Sequence, residues 1–176
     1  MNNLGLIHIY TGDGKGKTTS AVGLATRVLG SGLKVCYCSF HKQPEKYGYT
    51  EMDSLRKLGA TVYNFAKGHP HLDHSLDENI IRKETGEAVE YLTNLLKTES
   101  FDLLIMDEIN ISVRDNYLDE TRLIEFIQQK PKHLELVITG RAATENVMNL
   151  ADYITFCKKI KHPYDNGVKS RAGIEY

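Results

Sequence analysis

The 176-residue chain contains no tryptophan, only three cysteines and only four prolines. It also lacks any excess of one charge and any long apolar run. Each scarcity excludes a class. Cys36, Cys38 and Cys157 are odd in number and form no C-x-x-C, so neither a disulfide framework nor a thiolate metal site is expected. Cys36 and Cys38 lie two apart in an apolar run, which places both on one face of a strand as buried thiols. Lys and Arg number 22 against 23 Asp and Glu, a net charge of −1. Such a balance lacks the diffuse positive field of a non-specific nucleic-acid binder, and nucleic acid is not an expected partner. No stretch approaches the ~18 apolar residues of a membrane span. The opening Met1-Asn2-Asn3-Leu4-Gly5 has no basic region followed by an apolar core, so export is not expected and a cytoplasmic location is.

What is present is apolar runs alternating with helical periodicity, in a length that fits one domain over 1–176. Strands are expected at residues 6–10, 34–40, 61–65, 101–106, 134–138 and 153–157. Helices are expected at 17–29, 51–58, from Ser75 or Asp77 to about 98, from Asp119 or Thr121 to 129, and at 144–150. Residues 67–77, rich in His, Pro and Asp, read as a loop. The alternation implies an α/β fold with right-handed crossovers and a mostly parallel sheet of about six strands, covered by helices on both faces. Ligands of such sheets bind at the carboxyl ends of the strands, which gathers Thr11, Phe40, Asp107 and Thr139 around one crevice.

At the end of the first strand stands Thr11-Gly12-Asp13-Gly14-Lys15-Gly16-Lys17-Thr18-Thr19. It is one residue away from G-x-x-x-x-G-K-[ST], with Thr11 in place of the first glycine. The glycines permit a tight turn and close approach to an anion. Loop amides and the first helical turn supply partial positive charge. Lys17 adds a full charge, Lys15 adds one at the rim, and the Thr18 hydroxyl is a candidate magnesium ligand. A phosphate cradle of the P-loop NTPases (RecA-like) is therefore expected. Asp107-Glu108 ends an apolar strand, where P-loop proteins keep a carboxylate for Mg²⁺.

Four segments together resemble a known family. They are 9–19, the D-L-hydrophobic-D-E strand 102–110, Val137-Ile138-Thr139-Gly140-Arg141, and the tail. The tail reads Lys161-His162-Pro163-Tyr164-Asp165-Asn166-Gly167-Val168 and ends in Gly173-Ile174-Glu175-Tyr176. With them the chain resembles the P-loop ATP:corrinoid adenosyltransferases, whose cradle also starts with Thr. The resemblance implies adenosyl transfer from ATP to the Co(I) of a corrinoid, in adenosylcobalamin synthesis or salvage, with Mg²⁺ (or Mn²⁺). It implies catalytic roles for Lys17, Asp107 and Glu108, metal ligands in Thr18 and Glu108, and nucleotide contacts from the cradle and Arg141. It further implies a homodimer, an electron-donor protein, and a tail folded over the site.

The sequence departs from the family in three places. Asp13 replaces the usual Asn, a negative charge for Lys15 to offset. Many members carry a helical segment ahead of the first strand, whereas here that strand begins near Leu6. Where many members have G-F-T-W, this chain has Gly68-His69-Pro70-His71. His69, His71 and His74 with Asp73 match no strong zinc spacing and read as a solvated loop, with lining of the second-substrate pocket as the alternative. The basic tail residues Lys158, Lys159, Lys161, Lys169 and Arg171 carry no aromatic platform for nucleic acid. Two other activities stay open on the residues alone: an ATPase or kinase using Glu108, and a nucleotide- or corrinoid-binding protein without turnover.

Overall fold

A computed structural model describes residues 5–70, 73 and 75–175. Six strands, β1 (Ile7–Thr11), β2 (Val35–Phe40), β3 (Thr61–Phe65), β4 (Leu103–Asp107), β5 (Glu135–Thr139) and β6 (Tyr153–Phe156), form one sheet of order β3-β2-β4-β5-β1-β6. Every strand pairing is parallel. The helices are α1 (Lys17–Gly30), α2 (Pro44–Tyr47), α3 (Glu51–Lys57), α4 (Glu78–Thr98), α5 (Ile109–Arg114), α6 (Glu120–Gln129) and α7 (Glu145–Met148). A 3-10 turn spans Pro163–Asn166 in the tail.

The central strands are apolar on both faces because both faces are covered. Along β2 and β4, alternate residues point into two separate cores. Val35, Tyr37, Leu103 and Ile105 pack with Ala21 and Ala25 of α1 and with Met52 and Leu55 of α3. Cys36, Cys38, Phe40, Leu104 and Met106 pack with Leu92 of α4 and with Leu123 and Phe126 of α6. Cys36 and Cys38 share a face as expected, their sulfurs 3.7 Å apart. The edge strand β6 breaks the pattern, since all four of its residues are exposed.

Helix starts follow local chemistry. Of the two expected caps of α4, Asp77 does the work and accepts the Asn79 N–H at 2.8 Å. Thr144 caps α7 through the Val147 N–H. Helices α2 and α5 were not expected from periodicity, being four and six residues long, too short to show a repeat. Among the described residues no helix is long and apolar enough to cross a membrane.

Candidate active site

Parallel pairing brings the carboxyl ends of β1, β2, β4 and β5 to one edge, where Thr11, Phe40, Asp107 and Thr139 end their strands. The cradle turns from β1 into α1 there. Gly12 and Gly16 hold φ of 99° and 124°, which side chains with a Cβ seldom adopt. Lys17 is 8% exposed, and its Nζ donates to the carbonyls of Gly12 at 2.7 Å and Gly14 at 2.8 Å. Burial, with Arg141 nearby, lowers its pKa against the pull of Glu108, so this ammonium is poorly hydrated. Thr11 is buried, and its hydroxyl accepts the Ala143 N–H at 3.1 Å, tying the cradle to the loop after β5. Asp13, Lys15 and Thr19 are exposed.

The chain after β6 braces the cradle from outside. The Cys157 carbonyl accepts the Gly14 N–H at 2.7 Å, and its N–H donates to Thr11 at 2.8 Å. A Cβ on Gly14 would sit 2.7 Å from the Cys157 oxygen and 2.8 Å from the Lys158 carbonyl carbon. Gly14→Ala therefore has to push this strap away. Overpacking of this kind costs about 1–3 kcal/mol. A fall in thermal stability together with weaker ATP binding is expected, and calorimetry of both would check it. Further along the tail, Glu175 pairs with Lys15 at 3.2 Å and with Arg171 at 2.9 Å. Lys15 thus reaches the tail, whereas the sequence assigned it to Asp13.

The two acids differ sharply. Asp107 is fully buried. Its Oδ1 accepts the hydroxyls of Thr139 at 2.5 Å and Thr18 at 3.0 Å. Its Oδ2 accepts Tyr37 Oη at 2.7 Å and faces Lys42 Nζ at 2.6 Å. Burial works to raise its pKa, but Lys42 and the hydroxyls outweigh this, and the carboxyl sits below its ordinary range. Burial and the Asp107 charge hold Tyr37 well above its ordinary value. Glu108 has φ 68°, left-handed for a residue with a Cβ, and its Oε2 is buried with no hydrogen-bond partner among the described residues. Burial, then the charge of Asp107, raises its pKa. A left-handed backbone carrying an unsatisfied buried oxygen makes Glu108 a candidate functional position. Exposed Arg141 lies close enough to bias both Lys17 and Glu108.

Lys42 was missed by the sequence reading. It follows β2 by two residues and is 6% exposed, bound to Asp107 and to Glu51 at 2.9 Å. Its one signal in sequence was its position just beyond Phe40, at the crevice. Next to it, His41 is buried and bonds Ser112 Oγ at 2.7 Å. The His41 ring packs at 5.6 Å from the rings of His69 and Tyr117. His69 pairs with Asp115 at 3.0 Å, with its side chain only 10% exposed, so it is not the solvated residue that the loop composition implied. His71 and His74 lie outside the described residues. Among the described residues no group of three His, Cys, Asp or Glu is placed to hold a metal ion.

Burial, then the charge of His69, lowers the His41 pKa to about 4. A histidine depressed in the folded state contributes stability that is complete above its unfolded pKa of ~6.5 and is lost as pH falls toward 4. Up to ~3 kcal/mol should disappear across that window. Urea denaturation at pH 7 and pH 4.5 should show a smaller loss in His41→Asn than in the parent.

The whole chain now meets its relatives. Residues 3–176 match the model of the family described as ATP:corrinoid adenosyltransferase BtuR/CobO/CobP. The corrinoid adenosyltransferase of Escherichia coli (strain K12) is 31% identical over 172 residues, covering 98% of this chain and 86% of that protein. The corrinoid adenosyltransferase CobA of Salmonella typhimurium is 30% identical over 175 residues, covering 98% and 86%. That of Pseudomonas aeruginosa is 30% identical, covering 98% and 84%. A cradle at the mouth of a parallel sheet, two unlike acids facing it and a match along nearly the full length lead to one assignment: this chain belongs to the ATP:corrinoid adenosyltransferase family.

Proposed function

We propose that the chain moves the 5′-deoxyadenosyl group of ATP to the Co(I) of a corrinoid by the following division of labour. The observation that carries the reading is the pair Asp107 and Glu108, one carboxylate saturated by neighbours and the next holding an unsatisfied oxygen. Cobalt(I) attacks the 5′ carbon, the Co–C bond forms, the C–O bond breaks, and triphosphate leaves with the bonding pair. No proton has to be removed from the nucleophile, so the site needs no general base. It needs orientation, and stabilisation of charge on the leaving group.

Lys17, the cradle amides and Arg141 hold the triphosphate. Thr18 and Glu108 are the residues that fit Mg²⁺, since Thr18 brings a hydroxyl to the acid end and Glu108 brings a free buried oxygen. The ion, when bound, would neutralise charge on the leaving group. Asp107 keeps the Thr18 hydroxyl in place and makes no direct demand on the ion. The cobalt nucleophile has to be formed by one-electron reduction, for which the reading assigns an electron-donor protein. The exposed apolar side chains of β6 (Tyr153, Ile154 and Phe156) support a homodimer. The free thiols of Cys36, Cys38 and Cys157 support a cytoplasmic location.

Thr18→Ala and Glu108→Gln should each raise the magnesium concentration needed for half-maximal activity about tenfold. Nucleotide binding measured without metal should change far less. A magnesium titration of each variant decides it; an unchanged requirement in both would place the ligands elsewhere.

A further inference from the structure

We propose that Lys42 is a positioning residue that makes divalent-metal binding at this site conditional on the nucleotide. The inference rests on the reading of Thr18 and Glu108 as the metal's ligands. Negative charge gathers at the acid end of the crevice, since Glu51 from α3 and Asp107 from β4 meet on Lys42, and Glu108 lies close enough for the charges of Asp107 and Lys42 to act on it. Left uncompensated, that charge would attract divalent cations from solution. The Lys42 ammonium stands in its middle, 2.6 Å from Asp107 Oδ2, 2.9 Å from Glu51 Oε1 and 3.5 Å from Tyr37 Oη. Three donors meet three acceptors, and the Tyr49 ring lies 5.0 Å away as a further cation partner.

Stability does not account for this charge. A buried ion pair is often matched or bettered by apolar residues of the same volume. Its consequence for cations does. Lys42 pairs with two of the carboxylates and offsets one of their two charges, takes up Oδ2 of Asp107, and repels a second cation from that spot. The negative charge of a bound triphosphate offsets that repulsion, so metal and nucleotide arrive together. A free metal ion is thereby kept from occupying the site ahead of ATP.

The test uses the full-length protein and Mn²⁺, followed by the electron paramagnetic resonance signal of the free ion, with and without ATP. Without ATP, Lys42→Met should bind Mn²⁺ at least tenfold more tightly than the parent. Lys42→Gln, which keeps a donor to Asp107 and serves if the Met variant does not fold, should gain likewise. Adding Asp107→Asn to either variant should reverse the gain. Equal nucleotide-free affinity in parent and variants, or a gain that survives Asp107→Asn, would overturn the proposal. Absence of ATP-dependent Mn²⁺ binding in the parent would instead overturn the ligand assignment on which the proposal rests.

Discussion

Lys17→Ala should lower MgATP affinity by roughly 30-fold to several thousand-fold and leave the fold intact. The range follows from the about 2–5 kcal/mol lost when one member of a buried, hydrogen-bonded charge pair is truncated. Lys17 qualifies because its ammonium is enclosed by the cradle and held over its mouth by the carbonyls of Gly12 and Gly14. Its lowered pKa reports a charge already stripped of much water, so pairing with phosphate costs little further desolvation. The helix it opens is fixed independently by Ala21 and Ala25 in the core. Titration calorimetry with MgATP, beside circular dichroism, is the measurement. An unchanged affinity in a folded variant would remove Lys17 from the site.

The second large effect is on stability. Asp107→Ala should cost about 3–5 kcal/mol, because it strands the buried Lys42 ammonium and removes the acceptor for Thr18, Tyr37 and Thr139. For a domain of this size that is a melting temperature lower by roughly 6–20 °C. Glu108→Gln should cost almost nothing, since the carboxylate it replaces is destabilised by burial and by the neighbouring Asp107 charge. Thermal unfolding of the two variants side by side separates a structural acid from a functional one. Equal losses would erase the distinction on which the division of labour depends.

How much of this was legible in the sequence depended on the range of the interaction. The cradle was readable because its chemistry lies in nine adjacent residues, and the strand-end rule placed Thr11, Phe40, Asp107 and Thr139 correctly at one edge. The six parallel strands were readable because Leu103 to Met106 and Leu136 to Ile138 have to be apolar on both sides. Lys42 and Tyr37 were not readable as partners of Asp107, since they lie 65 and 70 positions from it in the chain and no local pattern couples them. The Lys15–Glu175 contact, spanning 160 positions, was beyond local pattern for the same reason. Residue type and position alone did not separate Asp107 from Glu108; only the family resemblance did, by giving the metal to Glu108. In the fold, Asp107 is the hub bonded to Thr18, Tyr37, Thr139 and Lys42, whereas the next residue, Glu108, has a left-handed backbone and an unsatisfied buried oxygen. His69 looked like a solvated loop residue because composition reports polarity and not the Asp115, His41 and Tyr117 that enclose it.

The central claim is that this cradle serves cleavage at the 5′ carbon of ATP and not at a phosphorus. The fate of the phosphates tests it most directly. The protein should be incubated with MgATP and a chemically reduced Co(I) corrinoid, and the products separated by anion exchange. The account predicts inorganic triphosphate and a light-sensitive Co–C bonded corrinoid in equal amounts, with both lost in Lys17→Ala. Release of ADP and phosphate without alkylated corrinoid would contradict it.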